Sequence, residues 1–219
     1  MISSAEVETR SSQYYGTFRA GIKITDVPGT CTSFFWYMND TQEIDVEFLS
    51  SQFGKDNGTF PVSLVLRAST PGAASAGPDR ARKTGSAFKK VHLPFDPTAD
   101  FHEYRFDFLP DEVLFYADAT LLAEMNQTSV PLGPGRLHIS HWSNGNVGWS
   151  SSSHSPQLPP APPATDAITT VSYVKAYFNA SAEPSPDDDR QARCRDPAAA
   201  SAVCAIPVNS PGFFFGRRR

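Results

Sequence analysis

Apolar and polar residues alternate along most of this chain in short runs, and Gly, Pro, Asn and Asp separate the runs. A period of two sends successive side chains to opposite faces of an extended strand, so each run reads as a β-strand with one face turned into a core. On this pattern strands are expected at residues 14–25, 31–38, 43–49, 62–67, 101–108, 112–117, 136–142 and 167–178. Turns are expected at Asp26-Val27-Pro28-Gly29 and across residues 38–42, and a Gly/Ala/Pro/Ser loop follows from Ser69 to Gly77. No helix-period segment exceeds two turns before residue 190. From Ala182 the composition changes to Pro, Asp, Arg and Ala, which predicts a weakly ordered tail over 182–219 whose Phe213–Phe215 and Arg217–Arg219 runs have no assigned role. A chain of 219 residues built this way is expected to form one all-β sandwich domain.

One strand departs from the simple in/out rule. In Gln42-Glu43-Ile44-Asp45-Val46-Glu47-Phe48-Leu49, Ile44, Val46 and Phe48 take one face while Glu43, Asp45 and Glu47 share the other. Aligned carboxylates repel and raise one another's pKa, which is costly unless the face is used. A retaining glycosidase uses such an arrangement: two carboxyl groups roughly 5 to 5.5 Å apart, one ionised as nucleophile and one protonated as acid. Positions four apart on a strand are about 13 Å apart at the backbone, so Glu43 and Glu47 must lean towards each other across Asp45. Asp45, between them, is placed to hydrogen-bond the nucleophile and hold a proton. The competing reading is a solvated acidic strand face.

Composition narrows the alternatives. Sixteen Phe and seven Tyr fit strands packed face to face, and a net charge of −4 is mild. There is no basic stripe with interleaved aromatics and no Gly-rich phosphate loop, so a nucleic-acid or nucleotide partner is not expected. No run approaches the ~20 apolar residues of a membrane span, and Met1–Arg10 lacks a signal peptide's apolar stretch. No metal-ligand spacing such as C-x2-C or H-E-x-x-H occurs, and no cofactor is expected. Of three cysteines, Cys194 and Cys204 are close enough in sequence to close a small disulfide loop in an oxidising compartment, and Cys31 reads as a buried small hydrophobe. N-x-S/T acceptors lie at Asn39, Asn57, Asn126 and Asn179. His92 and His154 read as structural.

Glu43-Ile44-Asp45-Val46-Glu47 resembles the E-[I/L]-D-[I/V/F]-E signature of glycoside hydrolase family 16. The resemblance extends to Tyr15-Gly16-Thr17-Phe18-Arg19-Ala20, to Phe34-Phe35-Trp36-Tyr37, and to Phe101-His102-Glu103-Tyr104-Arg105-Phe106 with Val113-Leu114-Phe115-Tyr116-Ala117-Asp118. His141-Trp142-Ser143-Asn144-Gly145 and Gly148-Trp149-Ser150 resemble a block of the secreted fungal-type branch. Together these blocks cover most of residues 14–180 in the family's order.

The resemblance implies a concanavalin-like β-jelly roll of two antiparallel sheets and a monomer acting on β-glucan. It implies endo-cleavage of internal β-1,3/β-1,4 bonds by retaining double displacement. Glu43 would then be the nucleophile, Glu47 the acid/base, and Asp45 the residue that orients and tunes Glu43. Trp142, His141 and Asn144 would bind sugar; Trp36 is open between a sugar contact and a core position, and Trp149 between the cleft rim and packing. The uninterrupted E-x-D-x-E spacing resembles the lichenase and transglycosylase branches, so transglycosylation on cell-wall glucan is an alternative. A catalytically silent carbohydrate-binding remnant is another, because the family's domain usually begins several strands earlier and N-terminal strands are expected to be missing. On this reading residues 1–181 form the catalytic domain, with 151–165 a Pro/Ser-rich insertion. The full-length protein is expected to be secreted or held in the cell wall. Ala119, where the family has Gly, predicts a looser hairpin turn.

Overall fold

The computed structural model describes residues 4–68, 87–126, 130–143 and 165–179. Eleven strands fill these residues: β1 (Ala5–Glu8), β2 (Tyr14–Lys23), β3 (Cys31–Asn39), β4 (Gln42–Leu49), β5 (Pro61–Arg67), β6 (Ala87–His92), β7 (His102–Phe108), β8 (Val113–Ala117), β9 (Thr120–Met125), β10 (Arg136–Trp142) and β11 (Thr170–Asn179). Two short 3-10 turns, Ser50–Gln52 and Lys55–Asn57, follow β4. The strands form two sheets, ordered β1-β10-β3-β4-β5-β6 and β11-β2-β7-β8-β9, antiparallel throughout.

Alternation decides what lies between the sheets. Phe34 and Trp36 of β3, Ile44, Val46 and Phe48 of β4, and Val62, Leu64 and Leu66 of β5 face inward from the six-stranded sheet. Phe18, Ala20 and Ile22 of β2, Tyr104, Phe106 and Phe108 of β7, and Val113 and Phe115 of β8 meet them. The layers touch ring to ring: Phe34 on Phe106 at 5.1 Å, Trp36 on Phe108 at 5.1 Å and Phe48 on Tyr104 at 4.6 Å between centroids. Each buried aromatic of this kind stabilises the fold by about 1.5–3 kcal/mol through area removed from water alone.

Eight strands lie where the alternation predicts them, with ends shifted by a few residues. β1, β6 and β9 were not expected, for three different reasons. β1 is exposed at all four positions, so it carries no in/out signal. In β6 the inward row is Ala87, Lys89 and Val91, with a lysine where an apolar residue would have marked the period. β9 is out of step with β8 because the register shifts between Phe115 and Tyr116.

The β8–β9 turn corrects another expectation. It is a tight two-residue connection, with Ala117 opposite Thr120 and Asp118 and Ala119 at φ of 44° and 66°. Ala119 thus adopts a left-handed conformation that favours glycine, and the turn is strained rather than loose. Asp118 holds it: its Oδ1 accepts the Glu103 amide at 2.9 Å and its Oδ2 lies 2.6 Å from His102 Nδ1.

Candidate active site

β4 lies in the interior of the six-stranded sheet, paired to β3 on one side and β5 on the other, so its acidic face sits in the middle of the sheet's outer surface. Register fixes the neighbours of each acid. Glu43 lies between Tyr37 and Arg67, Asp45 between Phe35 and Val65, and Glu47 between Ser33 and Ser63. All of these side chains share the acidic face because each is directly opposite an acid.

The three carboxyl groups occupy unequal settings. Glu43 is paired with Arg67, whose Nη1 donates to Oε2 at 2.8 Å. Asp45 is 3% exposed, and burial, followed by the charges of Glu43 and Glu47, pushes it well above the usual carboxylate range. Its side chain also hydrogen-bonds Glu43, which favours a protonated Asp45 donating to an ionised partner. Glu47 is pushed up to about 7, first by burial and then by Glu43, with Arg67 acting in the opposite direction. One strand face therefore carries an ion-paired carboxylate, a neutral carboxylic acid that bonds it, and a second acid that keeps its proton to near neutrality.

The rest of this face is aromatic and polar. Phe35 stacks on His138 of β10 at 4.8 Å, and Tyr37 meets the same imidazole edge-on at 6.0 Å. The Tyr37 hydroxyl donates to Asp40 Oδ1 at 2.7 Å. His138 Nδ1 lies 2.9 Å from Glu6 Oε1 on β1, and Ser33 and Ser140 hydroxyls are 2.7 Å apart. Trp142 ends β10 opposite Cys31, half-buried, and alternation from His138 and Ser140 puts it on the acidic face. Cys31 is buried as expected, its thiol pushed up by burial and then by Glu47 and Asp45.

Two expected sugar contacts lie on the other face. Trp36 is fully buried, its indole N–H donates to the Gln13 carbonyl at 2.9 Å, and its ring packs on Phe108. Gly135 passes so close that a Cβ there would stand 2.6 Å from the Trp36 ring. Trp36 is a core residue because strand alternation sends it with Phe34 into the sandwich, opposite Phe35 and Tyr37. His141 likewise points away from the acids, with Leu137 and Ile139. Its Nε2 donates to the Ala167 carbonyl at 3.1 Å and its Nδ1 lies 2.9 Å from Thr32 Oγ1. Burial lowers the His141 pKa. Asn144, Trp149, Cys194 and Cys204, the 151–165 insertion and the 182–219 tail lie outside the described residues.

Arg67, Phe35, Tyr37 and His138 were not singled out from the sequence. Arg67 had a signal, being a lone cation that closes the otherwise uncharged run Val62–Leu66. His138 had one too, since it shares parity with Trp142 in Arg136–Trp142. Among the described residues no group of three His, Cys, Asp or Glu could hold a metal ion, and no helix is long and apolar enough to cross a membrane.

A two-sheet antiparallel sandwich with three differently tuned carboxyl groups on one interior strand defines the class of concanavalin-like carbohydrate-active folds. The profile of the glycosyl hydrolases family 16 matches residues 2–157, and the chain belongs to that family. It is 29% identical over 147 residues to a beta-glucanase of Bacillus licheniformis, covering 64% of this chain and 52% of that one. A beta-glucanase of Acetivibrio thermocellus is 27% identical over 188 residues, 84% of this chain and 48% of the relative. The chain spans about half the length of the curated relatives it matches. Among solved structures, the Bacillus licheniformis beta-glucanase superimposes with a TM-score of 0.58 at 22% identity over 80% of this chain and 71% of that chain. An apo Crh5 transglycosylase gives 0.60 at 20% identity over 81% and 69%. At these identities the structural likeness speaks for the fold.

Proposed function

We propose that this protein is an endo-acting glycoside hydrolase that cleaves internal β-1,3 or β-1,4 bonds of a glucan with retention of configuration. The observation that carries the reading is the division of labour on β4, where neighbouring carboxyl groups are driven to different protonation behaviour by burial, by one another and by Arg67. Family membership and the beta-glucanase relatives support a glucan as substrate.

In the first half-reaction the Glu43 carboxylate attacks the anomeric carbon while Glu47 gives its proton to the leaving glycosidic oxygen. The glycosyl–Glu43 ester forms as the glycosidic bond breaks. In the second, Glu47, now ionised, takes a proton from water, whose oxygen displaces Glu43 at the same carbon. An acid held to about 7 is matched to both roles near neutral pH. Asp45, protonated, donates to Glu43 and steadies it through the cycle. Phe35 and Tyr37 offer apolar ring surface beside the acids, and Trp142 an aromatic wall at the end of β10. Residues 1–181 would form the catalytic domain, and a polymeric wall glucan as substrate fits action outside the cell.

A sugar hydroxyl in place of water would make the same groups a transglycosylase. The fold shared with the Crh5 transglycosylase, together with 28% identity to the Crh-like protein CRH12 of Candida albicans over 64% of this chain and 27% of that one, supports keeping this as the second reading. The test is reducing-sugar release from barley mixed-linkage glucan, laminarin and xyloglucan by the protein and by Glu43→Gln. Release lost in the variant supports the hydrolase. Chain-length redistribution without release supports transfer, and binding with neither supports a silent binding domain.

A further inference from the structure

Arg67 closes β5, directly opposite Glu43 in the β4–β5 ladder. We propose that Arg67 is a positioning residue for the reaction: its ion pair fixes the Glu43 carboxylate and supplies the positive charge that lets three acids share one strand face. The inference rests on the glycosidase reading above.

The contact is suited to this task. Nη1 engages Oε2 at 2.8 Å, while side-chain exposures of 24% for Arg67 and 15% for Glu43 remove both groups from most solvent screening. One oxygen of Glu43 is thereby tied across to β5, and the Asp45 side chain ties the same carboxylate along β4. A carboxylate held from two directions has few rotamers left, which aims it for attack. Strand pairing does not require the bridge, since β4 and β5 are joined by a ladder running from Glu43–Arg67 to Glu47–Ser63.

The charges around the site agree with the geometry. Around the acids stand Tyr37, Ser33 and Cys31 on β3, Arg67 and Ser63 on β5, and Lys90 on β6 opposite Ser63. Asp40 holds the Tyr37 hydroxyl, and His138 on β10 lies behind Phe35 and Tyr37, engaged with Glu6. Of these, Arg67 is the group that pulls both Asp45 and Glu47 back towards ionisation. Its loss therefore leaves Glu47 protonated to a higher pH, which moves the alkaline limb of the activity profile upward.

The experiment compares wild type, Arg67→Gln and Arg67→Lys in two ways: kcat and KM on the best glucan across pH, and carboxyl 13C NMR titration of Glu47. In Arg67→Gln, kcat is expected to fall about 100-fold with little change in KM, as for a displaced reacting group. The alkaline limb and the Glu47 titration should both rise by about one pH unit. Arg67→Lys should restore the limb while recovering kcat only in part, because ammonium keeps the charge and lacks the planar fork. A variant that loses only thermal stability, with limb and titration unmoved, overturns the proposal. If wild type turns over no glucan, the glycosidase reading fails and the positioning role falls with it, whereas the NMR titration separately reports whether Arg67 and Glu47 are coupled.

Discussion

Glu47 keeps its proton in the folded protein to about pH 7, against an ordinary value of 4.5, so the site costs stability above acidic pH. Between those values the unfolded chain releases the proton and the folded one retains it, so stability falls as pH rises. A tenfold difference in proton affinity between the two states is worth about 1.4 kcal/mol, and the gap from 4.5 to about 7 therefore corresponds to ~3 kcal/mol lost by pH 8. Glu47 is only half-buried, so solvent screening makes ~3 kcal/mol the upper end of the expected effect. Glu47→Gln removes the titration while keeping shape and hydrogen-bonding capacity. In urea unfolding the variant is expected to match wild type within about 0.5 kcal/mol near pH 4, where both side chains are neutral, and to exceed it by up to ~3 kcal/mol near pH 8. The low-pH comparison absorbs any packing difference between acid and amide. A gap that is the same at both pH values would refute the reasoning.

Two further outcomes are expected. Ala119→Gly relieves a left-handed alanine at φ 66° in the β8–β9 turn and should raise stability by about 1 kcal/mol, read as the urea midpoint; an unchanged or lower midpoint would contradict the strain. The two tryptophans should separate cleanly. Trp36→Ala should cost about 3–5 kcal/mol of stability, because it empties a core position and removes the indole bond to the Gln13 carbonyl, which then keeps only the Gly135 amide, whereas Trp142→Ala should raise KM with a far smaller stability loss.

The acids on β4 were legible because their pattern is local: a period of two over eight residues fixes which side chains share a face. Their unequal protonation was legible only in outline, since Arg67 reaches Glu43 from 24 positions along the chain and no local pattern encodes that pairing. The Trp36 ambiguity had the same origin. Phe34 to Tyr37 are aromatic at every position, so alternation could not choose the inward pair until register with Ile44 and Val46 fixed it. His141 misled because it stands beside Trp142, yet adjacent strand residues face opposite ways. β1, whose Glu6 meets His138, is exposed throughout and is recognisable only by its pairing with β10.

The central claim is that Glu43 becomes covalently attached to the sugar. The direct measurement is mass spectrometry of the protein after incubation with an activated 2-deoxy-2-fluoro glucan oligosaccharide, which slows the second half-reaction. The account predicts one added glycosyl unit, carried by the peptide that contains Glu43 and absent in Glu43→Gln. An adduct on Glu47, or turnover of the compound with no adduct on β4, would contradict it.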